Sequence, residues 1–261
     1  MKAQLLIAAL LVFQTILTTT SCFPCHAQQD DWVCLTDPAK PQPFPQTTAW
    51  QDDHPDWTVA GAVTLDPSQP ENLRAQPGQG VLISSLAGHF AFRNLTSRQW
   101  FDDLEVHVEF LIPKGSNAGI KLQGLYEIQI LDSYGKKHPT ASDCGGVYPR
   151  AELLPHYHTT DQGVPPRTNA AKPAGQWQTL DIRFQAPRFD RHGQKTANAR
   201  FLKVVLNGRV IHEDVELKWP TGHAWRTKPE VPRGPLYLQG DHGPVAYRNV
   251  RVRIPGKSSQ R

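Results

Sequence analysis

The residues whose types and spacing best suit chemistry lie in the run Tyr126-Glu127-Ile128-Gln129-Ile130-Leu131-Asp132. Tyr126, Ile128 and Ile130 alternate with Glu127 and Gln129, the period of a β-strand with one face in a core. The other face then carries a carboxylate and an amide, with Asp132 just beyond. Hydrogen-bonding side chains lined up on one sheet face are what a sugar-reading or sugar-cleaving surface needs. Asp241-His242-Gly243 adds an imidazole that titrates near neutrality and can give or take a proton. His156-Tyr157-His158 has the i, i+2 spacing that sets two imidazoles on one strand face; a metal site there needs a third ligand such as Asp161 or His138. Each feature also has a plain structural reading. Glu127 fits an exposed or salt-bridged strand residue, Asp132 a cap on the turn at Ser133, and Asp241 a turn residue bonding backbone. Arg150 fits a partner for Glu152 or Asp143, and Trp177 a core residue in place of a sugar-stacking platform.

Strands must position these groups. Leu104, Val106, Val108, Phe110 and Ile112 alternate with polar neighbours, with Leu111 the exposed apolar exception, and Leu180, Ile182 and Phe184 repeat the pattern. Phe201–Leu206, Asn207-Gly208 and Arg209–His212 read as a hairpin, because Asn-Gly supplies the positive φ values of a type I′ turn. Further strands are expected at Val81–Ser85, His89–Arg93, Leu236–Gln239 and Val245–Ile254. The last changes phase, and one inserted residue near Asn249, a β-bulge, restores its register. Proline-rich loops lie at Pro38–Pro45 and Pro165–Pro173. Many short strands between Gly and Pro turns predict an all-β sandwich of two antiparallel sheets.

The whole chain narrows the function. Its 261 residues carry a formal net charge of +4 with acidic and basic residues intermixed, without the basic block or aromatic–basic interleaving of a nucleic-acid groove. The start reads as an export leader: Lys2, an apolar run from Leu5 to Leu17, and a loose cleavage pattern at Cys25-His26-Ala27. Residues 1–27 are thus expected to be removed, giving a periplasmic or secreted protein, with lipoprotein anchoring at Cys22 the weaker alternative and no membrane span. A 28–56 extension with its Pro-rich loop, a 57–255 sandwich and a 256–261 tail follow. An oxidising compartment permits a disulfide between the two remaining cysteines, Cys34 and Cys144.

Asn117-Ala118-Gly119-Ile120, the Tyr126–Ser133 run, Gly145-Gly146-Val147-Tyr148, Ala171–Trp177, Asn207-Gly208 and Leu238–Val245 occur in an order that resembles the domain of unknown function 1080, or 3-keto-disaccharide hydrolase, family. The resemblance runs from about Trp57 to Ile254. It implies a concanavalin A-like jelly-roll sandwich acting on glycosides oxidised at sugar carbon 3. Glu127-x-Gln129-x-x-Asp132 also looks like a variant of the Glu-x-Asp-x-x-Glu strand of laminarinase-type β-glucanases. Here the middle acid is an amide and the last Glu a shorter Asp. Retaining carboxyl groups stand about 5–5.5 Å apart, whereas residues five apart on a strand begin about 16 Å apart. Ordinary double displacement therefore fits poorly.

Keto-sugar chemistry asks for less. A ketone at carbon 3 acidifies the carbon 2 proton, whose removal expels the oxygen on carbon 1 before water adds to the enone. The site then needs a base, an acid and a group to hold the enolate oxygen. Glu127 and His242 are the candidates for proton transfer. Lys121, Arg150 or a bound divalent cation could stabilise the enolate, though no cofactor is required by the sequence. Gln129, Asp132, Tyr148, Gln239 and Asp241 are expected to bind sugar hydroxyls. The competing readings are a carbohydrate-binding module without chemistry and an adhesive or structural sandwich.

Overall fold

Strand alternation builds two antiparallel layers in the computed structural model, which describes residues 31–36, 49–51, 57–85 and 94–256. The leader, the Pro38–Pro45 stretch, the His89–Arg93 strand and residues 257–261 lie outside the described residues. Strands are numbered along the chain. The larger layer contains β1 (Val33–Cys34), β2 (Thr58–Leu65), β3 (Leu73–Ile83), β5 (Leu104–Leu111), β10 (Gln178–Gln185), β13 (Ala199–Leu206), β14 (Arg209–Leu217) and β16 (Ala246–Arg253). Its order is β14-β13-β10-β5-β16-β3-β2, with β1 also paired to β16. The smaller layer contains β4 (Leu95–Phe101), β6 (Asn117–Leu122), β7 (Tyr126–Leu131) and β15 (Gly234–Leu238), in the order β4-β15-β6-β7. Two short ribbons, β8 (Ala151–Glu152) with β9 (His158–Thr159) and β11 (Arg188–Phe189) with β12 (Lys195–Ala197), decorate the loops, as does a single helical turn, α1 (Ala224–Thr227).

The layers meet through the apolar faces read from the sequence. Val106, Val108 and Phe110 of β5 and Leu180, Ile182 and Phe184 of β10 pack with Ile120, Tyr126, Ile128 and Ile130 of the smaller layer. Phe184 contacts both Tyr126, at 5.5 Å between ring centroids, and Phe201, at 5.8 Å. Each large apolar side chain buried this way contributes roughly 1.5–3 kcal/mol. This is the all-β jelly-roll sandwich expected of the chain.

Local geometry follows local sequence. Asn207 and Gly208 both have positive φ, 51° and 77°, and close the β13–β14 hairpin. Asn249 has φ 49°, and the β16–β5 register shifts between Arg248 and Arg251, so the bulge falls where the phase change required it.

Two expectations are corrected. Leu111 is 1% exposed: it turns to the opposite side of the larger layer, into a second small core with Ala60, Val63, Leu73, Val81, Ile83 and Ala246. The β2–β3 hairpin provides that cover, and Trp177 packs partly buried against it beneath the Arg248 guanidinium. Cys34 and Cys144 are separate free thiols and not a disulfide. Cys34 sits on β1 opposite Arg251 of β16, whereas Cys144 is in the core, where burial pushes its thiol up to about 12.

Candidate active site

The smaller layer presents Lys121, Glu127 and Gln129 as the floor of a cavity of about 320 Å³, with Asn117 beside them. β6 and β7 pair with Lys121 opposite Glu127 and Gly119 opposite Gln129. The register thus sets a cation against the carboxylate, and Lys121 Nζ lies 3.1 Å from Glu127 Oε2. Gly119 explains how the carboxylate fits: a Cβ there would stand 2.3 Å from Glu127 Oε1. Glu127 is only 4% exposed, and its amide donates to Thr221 Oγ1 at 3.1 Å. Burial opposes the charge on Lys121, but Glu127 outweighs it, and the ammonium is held above the usual lysine range. Its Nζ also lies 5.7 Å from the centre of the Tyr237 ring.

Gln129 is equally buried, at 3% exposed, and its Oε1 has no hydrogen-bond partner. Gln129 lines the cavity, so this carbonyl can accept from a ligand hydroxyl. Gln239 lines the same cavity, its backbone amide fixed to Gly119 O at 2.8 Å.

The turn after β15 supplies the imidazole. His242 lines the cavity, and its Nδ1 lies 2.5 Å from Asp241 Oδ1. That hydrogen bond outweighs burial and raises the His242 pKa above its ordinary 6.5. Burial works against ionised Asp241, but the bonds from His242 and Asn94 prevail and lower its pKa. Asn94 clamps this turn from the start of β4, donating to Asp241 Oδ2 at 2.8 Å and accepting from the Gly240 amide at 2.7 Å. Gly240 lets the turn approach the core closely, since a Cβ there would lie 2.4 Å from the Trp57 ring. Asp241 therefore acts behind the imidazole and does not line the cavity itself.

Tyr148, Tyr157 and His223 complete the wall. Tyr148 was expected. Tyr157 arrives on the β8–β9 ribbon and donates to the Tyr148 hydroxyl at 3.0 Å. Burial and that bond raise its pKa, so the phenol stays protonated at neutral pH. Burial, then the charges of Lys121 and Lys228, lower the pKa of His223 and favour its neutral form. Asn117, Tyr157 and His223 were not assigned to the site from sequence, because loop closure brings the last two in and no periodicity marks it.

Other candidates lie elsewhere. Asp132 caps a neighbouring turn, accepting from the Gly115 amide at 3.0 Å in place of the turn at Ser133. Arg150 binds neither Glu152 nor Asp143 but Asp161, with Nε 2.7 Å from Oδ2, and stacks on Trp225. It lines an adjacent cleft. His156 lies in the exposed β8–β9 loop and His158 on β9, with ring centroids 5.9 Å apart, and His158 Nδ1 bonds the His156 carbonyl. Among the described residues, no group of three or more His, Cys, Asp or Glu side chains gathers into a metal-binding set.

Among the lining residues of the cavity, Glu127 is the single carboxylate. Its near partner is an ammonium, where retaining glycosidases place a second carboxyl group. The arrangement offers a buried carboxylate–ammonium pair, an acid-primed imidazole and several hydroxyl-reading groups.

Together with its family, the all-β sandwich and this cavity place the chain among carbohydrate-active proteins. Residues 45–253 match the profile of the 3-keto-alpha-glucoside-1,2-lyase-like domain, and the chain is a member of that family. It is similar in fold to two crystal structures from Parabacteroides distasonis ATCC 8503, each provisionally named a glycosyl hydrolase. The first shares 24% identity at a TM-score of 0.58, with 86% of this chain and 84% of that one covered. The second shares 16% at a TM-score of 0.51, with 85% and 98% covered. No curated protein matches the chain. Among the described residues, no helix is long and apolar enough to cross a membrane.

Proposed function

We propose that this protein cleaves glycosides oxidised to a ketone at sugar carbon 3, by elimination followed by addition of water. The observation that carries the reading is the Lys121–Glu127 pair, 3.1 Å apart on the cavity floor. The acidic proton on carbon 2 and the oxygen on carbon 3 sit on adjacent carbons of the substrate. A carboxylate and an ammonium side by side can serve both at once: Glu127 takes the proton while Lys121 holds the oxygen as it becomes an enolate. The pair is preformed and largely shielded from water, which strengthens that stabilisation.

The enolate then collapses, forming the carbon 1–carbon 2 double bond and breaking the bond from carbon 1 to the glycosidic oxygen. His242 protonates the departing oxygen; its raised pKa keeps more of it in the acid form near neutrality. Water adds to carbon 1 of the enone, losing its proton to neutral His242, and Glu127 returns a proton to carbon 2. The net change is hydrolysis, and both groups regain their starting states. Gln129 and Gln239 supply hydrogen bonds to sugar hydroxyls.

The test is incubation with a 3-keto-glucoside and its unoxidised parent, with and without chelator. Cleavage of the ketone alone is expected, with a transient enone absorbance in rapid-mixing experiments and solvent deuterium incorporated at carbon 2. Equal cleavage of the unoxidised glycoside, or cleavage of a 3-keto-glycoside that carries no hydrogen on carbon 2, would falsify the elimination route. Glycan binding without turnover of either would favour a binding module. The leader in residues 1–27 adds export to this reading; N-terminal sequencing of exported protein is expected to begin near Gln28.

A further inference from the structure

We infer that Tyr148 is a further catalytic residue: its hydroxyl holds the departing oxygen on carbon 1, and Tyr157 positions it there. This deepens the elimination reading above and rests on it. The register across three neighbouring strands carries the inference. Lys121 of β6 is opposite Glu127 of β7, and on the other side of β7 the segment 145–148 continues the sheet. Its Val147 bridges to Ile128 in antiparallel sense, so Tyr148 falls opposite Glu127. Ile128 and Val147 pack in the core. Their neighbours Glu127 and Tyr148 therefore turn to the other face, and both line the cavity with Lys121.

That row matches the reacting atoms in order. In the substrate, carbon 2 lies between carbon 3 and carbon 1. Glu127, the base for the carbon 2 proton, lies between Lys121 and Tyr148, with roughly 4.8 Å for each step across the sheet. With the carbon 3 oxygen on Lys121, the carbon 1 oxygen falls on the Tyr148 side. Negative charge develops on that oxygen as its bond to carbon 1 breaks. A hydroxyl already aimed there stabilises the charge without reorganising. The proton that neutralises the oxygen comes from His242, and Tyr148 keeps its own, so the balance of the reaction is unchanged.

The phenol is held for this task at both ends. The Tyr148 amide donates to Glu127 O at 3.2 Å, the Gln129 amide to Gly146 O at 2.9 Å, and the Gly145 amide to Gln129 O at 2.8 Å. Beneath the segment, Nε2 of the buried His212 lies 2.7 Å from the Gly145 carbonyl oxygen. At the tip of the side chain, Tyr157 donates to the Tyr148 oxygen at 3.0 Å. A phenol oxygen that accepts from a neighbour still has its own hydrogen to give. Accepting that bond also polarises it into a better donor. The ribbon that carries Tyr157 is tied down by the bond from the Ala151 amide to Gly222 O, at 2.9 Å, and by the Arg226–Glu152 ion pair, also at 2.9 Å. Tyr157 is therefore a positioning residue that acts through Tyr148.

The experiment compares two substrates in the wild type, Tyr148→Phe and Tyr157→Phe. Methyl 3-keto-glucoside has a poor leaving group, whereas 4-nitrophenyl 3-keto-glucoside releases a phenolate that departs with little help. Each variant loses one oxygen atom and should keep the wild-type circular dichroism. Tyr148→Phe should lower kcat/KM on the methyl glucoside by about 10²-fold, the scale of one lost oxyanion donor. Its loss on the nitrophenyl glucoside should be smaller by about tenfold or more, because that oxygen asks less of a donor. Tyr157→Phe should lose about tenfold on the methyl glucoside, the effect of loosening a donor and not removing it, and again less on the nitrophenyl one. A role limited to packing would slow both substrates alike. Equal losses on the two, or a wild-type rate for Tyr148→Phe on the methyl glucoside, overturn the assignment while the elimination reading stands. Should the wild type cleave neither ketone, the elimination reading fails and this role falls with it.

Discussion

β5 and β7 have the same alternating pattern, yet their polar faces have different fates. On β5, Glu105, His107 and Glu109 point to the outside of the larger layer and meet partners at once. Glu105 pairs with Arg253 and with Arg183, His107 Nδ1 lies 2.7 Å from Asp181, and Glu109 lies 2.7 Å from Arg248 and 2.8 Å from Asn249. On β7, Glu127 and Gln129 point into a cavity and are more deeply buried. Glu127 has one ion-pair partner, and the Gln129 carbonyl has none. Fully partnered charge is tolerated on a sheet face even when mostly covered; buried, under-partnered polarity costs stability until a ligand or water completes it. The difference lies in what covers the strand and not in the strand.

The largest break in this comparison should come from the Lys121–Glu127 pair. Glu127→Gln removes the base while keeping the shape, and turnover of a 3-keto-glucoside should fall by about 10³-fold or more. Lys121→Met should be as damaging to turnover and should also destabilise the fold, because it leaves a buried carboxylate unpaired. That cost is about 3 kcal/mol, the lower end of the range for fully buried pairs, since a fifth of the Lys121 side chain stays exposed. Combining the two changes should recover most of the stability in a denaturant titration and none of the activity. Recovery of both would mean that the pair's role is architectural.

Gly119→Ala sharpens the same point without touching a charge. The new Cβ would displace the Glu127 carboxylate, the mobile end of its side chain, so the fold should persist. Misplacing a reacting group by about 1 Å can cost 10²-fold in rate, and a loss of about that size is expected in kcat with circular dichroism unchanged. Wild-type kcat in this variant would show that the position of the carboxylate is not critical.

A smaller effect separates His242 from its support. The acid role requires protonated His242, so kcat/KM should fall as pH rises through its raised pKa. Asp241→Asn removes the main cause of that elevation and should move this alkaline limb to lower pH, with a loss of about tenfold at neutral pH and little change on the acid side. The linkage has the same sign. A histidine pKa raised by folding adds stability that is full below the unfolded value near 6.5 and disappears as pH rises through the folded value. An unmoved limb would transfer the acid role elsewhere in the cavity.

What the sequence displayed and what it hid divide along the same line. Period-two alternation marked β5, β7 and β10, Asn-Gly marked the hairpin, and the phase change at Asn249 marked the bulge, because local backbone sterics dictate all three. Glu127 and Gln129 were legible as a polar strand face for the same reason. The pairing of Lys121 with Glu127 was not, since register depends on the partner strand. Tyr157 and His223 enter from loops whose closure is a tertiary event. Arg150 shows the same limit: its charge and place in the motif region were legible, but its pairing with Asp161 and Trp225 beside the adjoining cleft depends on loop closure. Leu111 misled because a strand covered on both faces loses the polar alternation expected of a one-sided one.

The smallest expected effect tests the other half of the comparison. Glu109 is held by Arg248 and Asn249, and their hydrogen bonds overcome burial to keep its pKa low. It resembles Glu127 in residue type, strand position and contact with a cation. If partnering and solvent, and not residue type, separate the two faces, Glu109→Gln should leave kcat/KM on the 3-keto-glucoside within about twofold and change stability by no more than about 1 kcal/mol, the scale of exposed ion pairs. Arg248 is 41% exposed in its side chain and stacks on Trp177 at 4.0 Å, so it keeps both water and an aromatic partner when the carboxylate is lost. Denaturant titration and the standard assay measure both quantities on one preparation. A rate loss approaching that of Glu127→Gln would mean that the outer face reaches the chemistry through the sheet, and cover alone would no longer account for the contrast between β5 and β7.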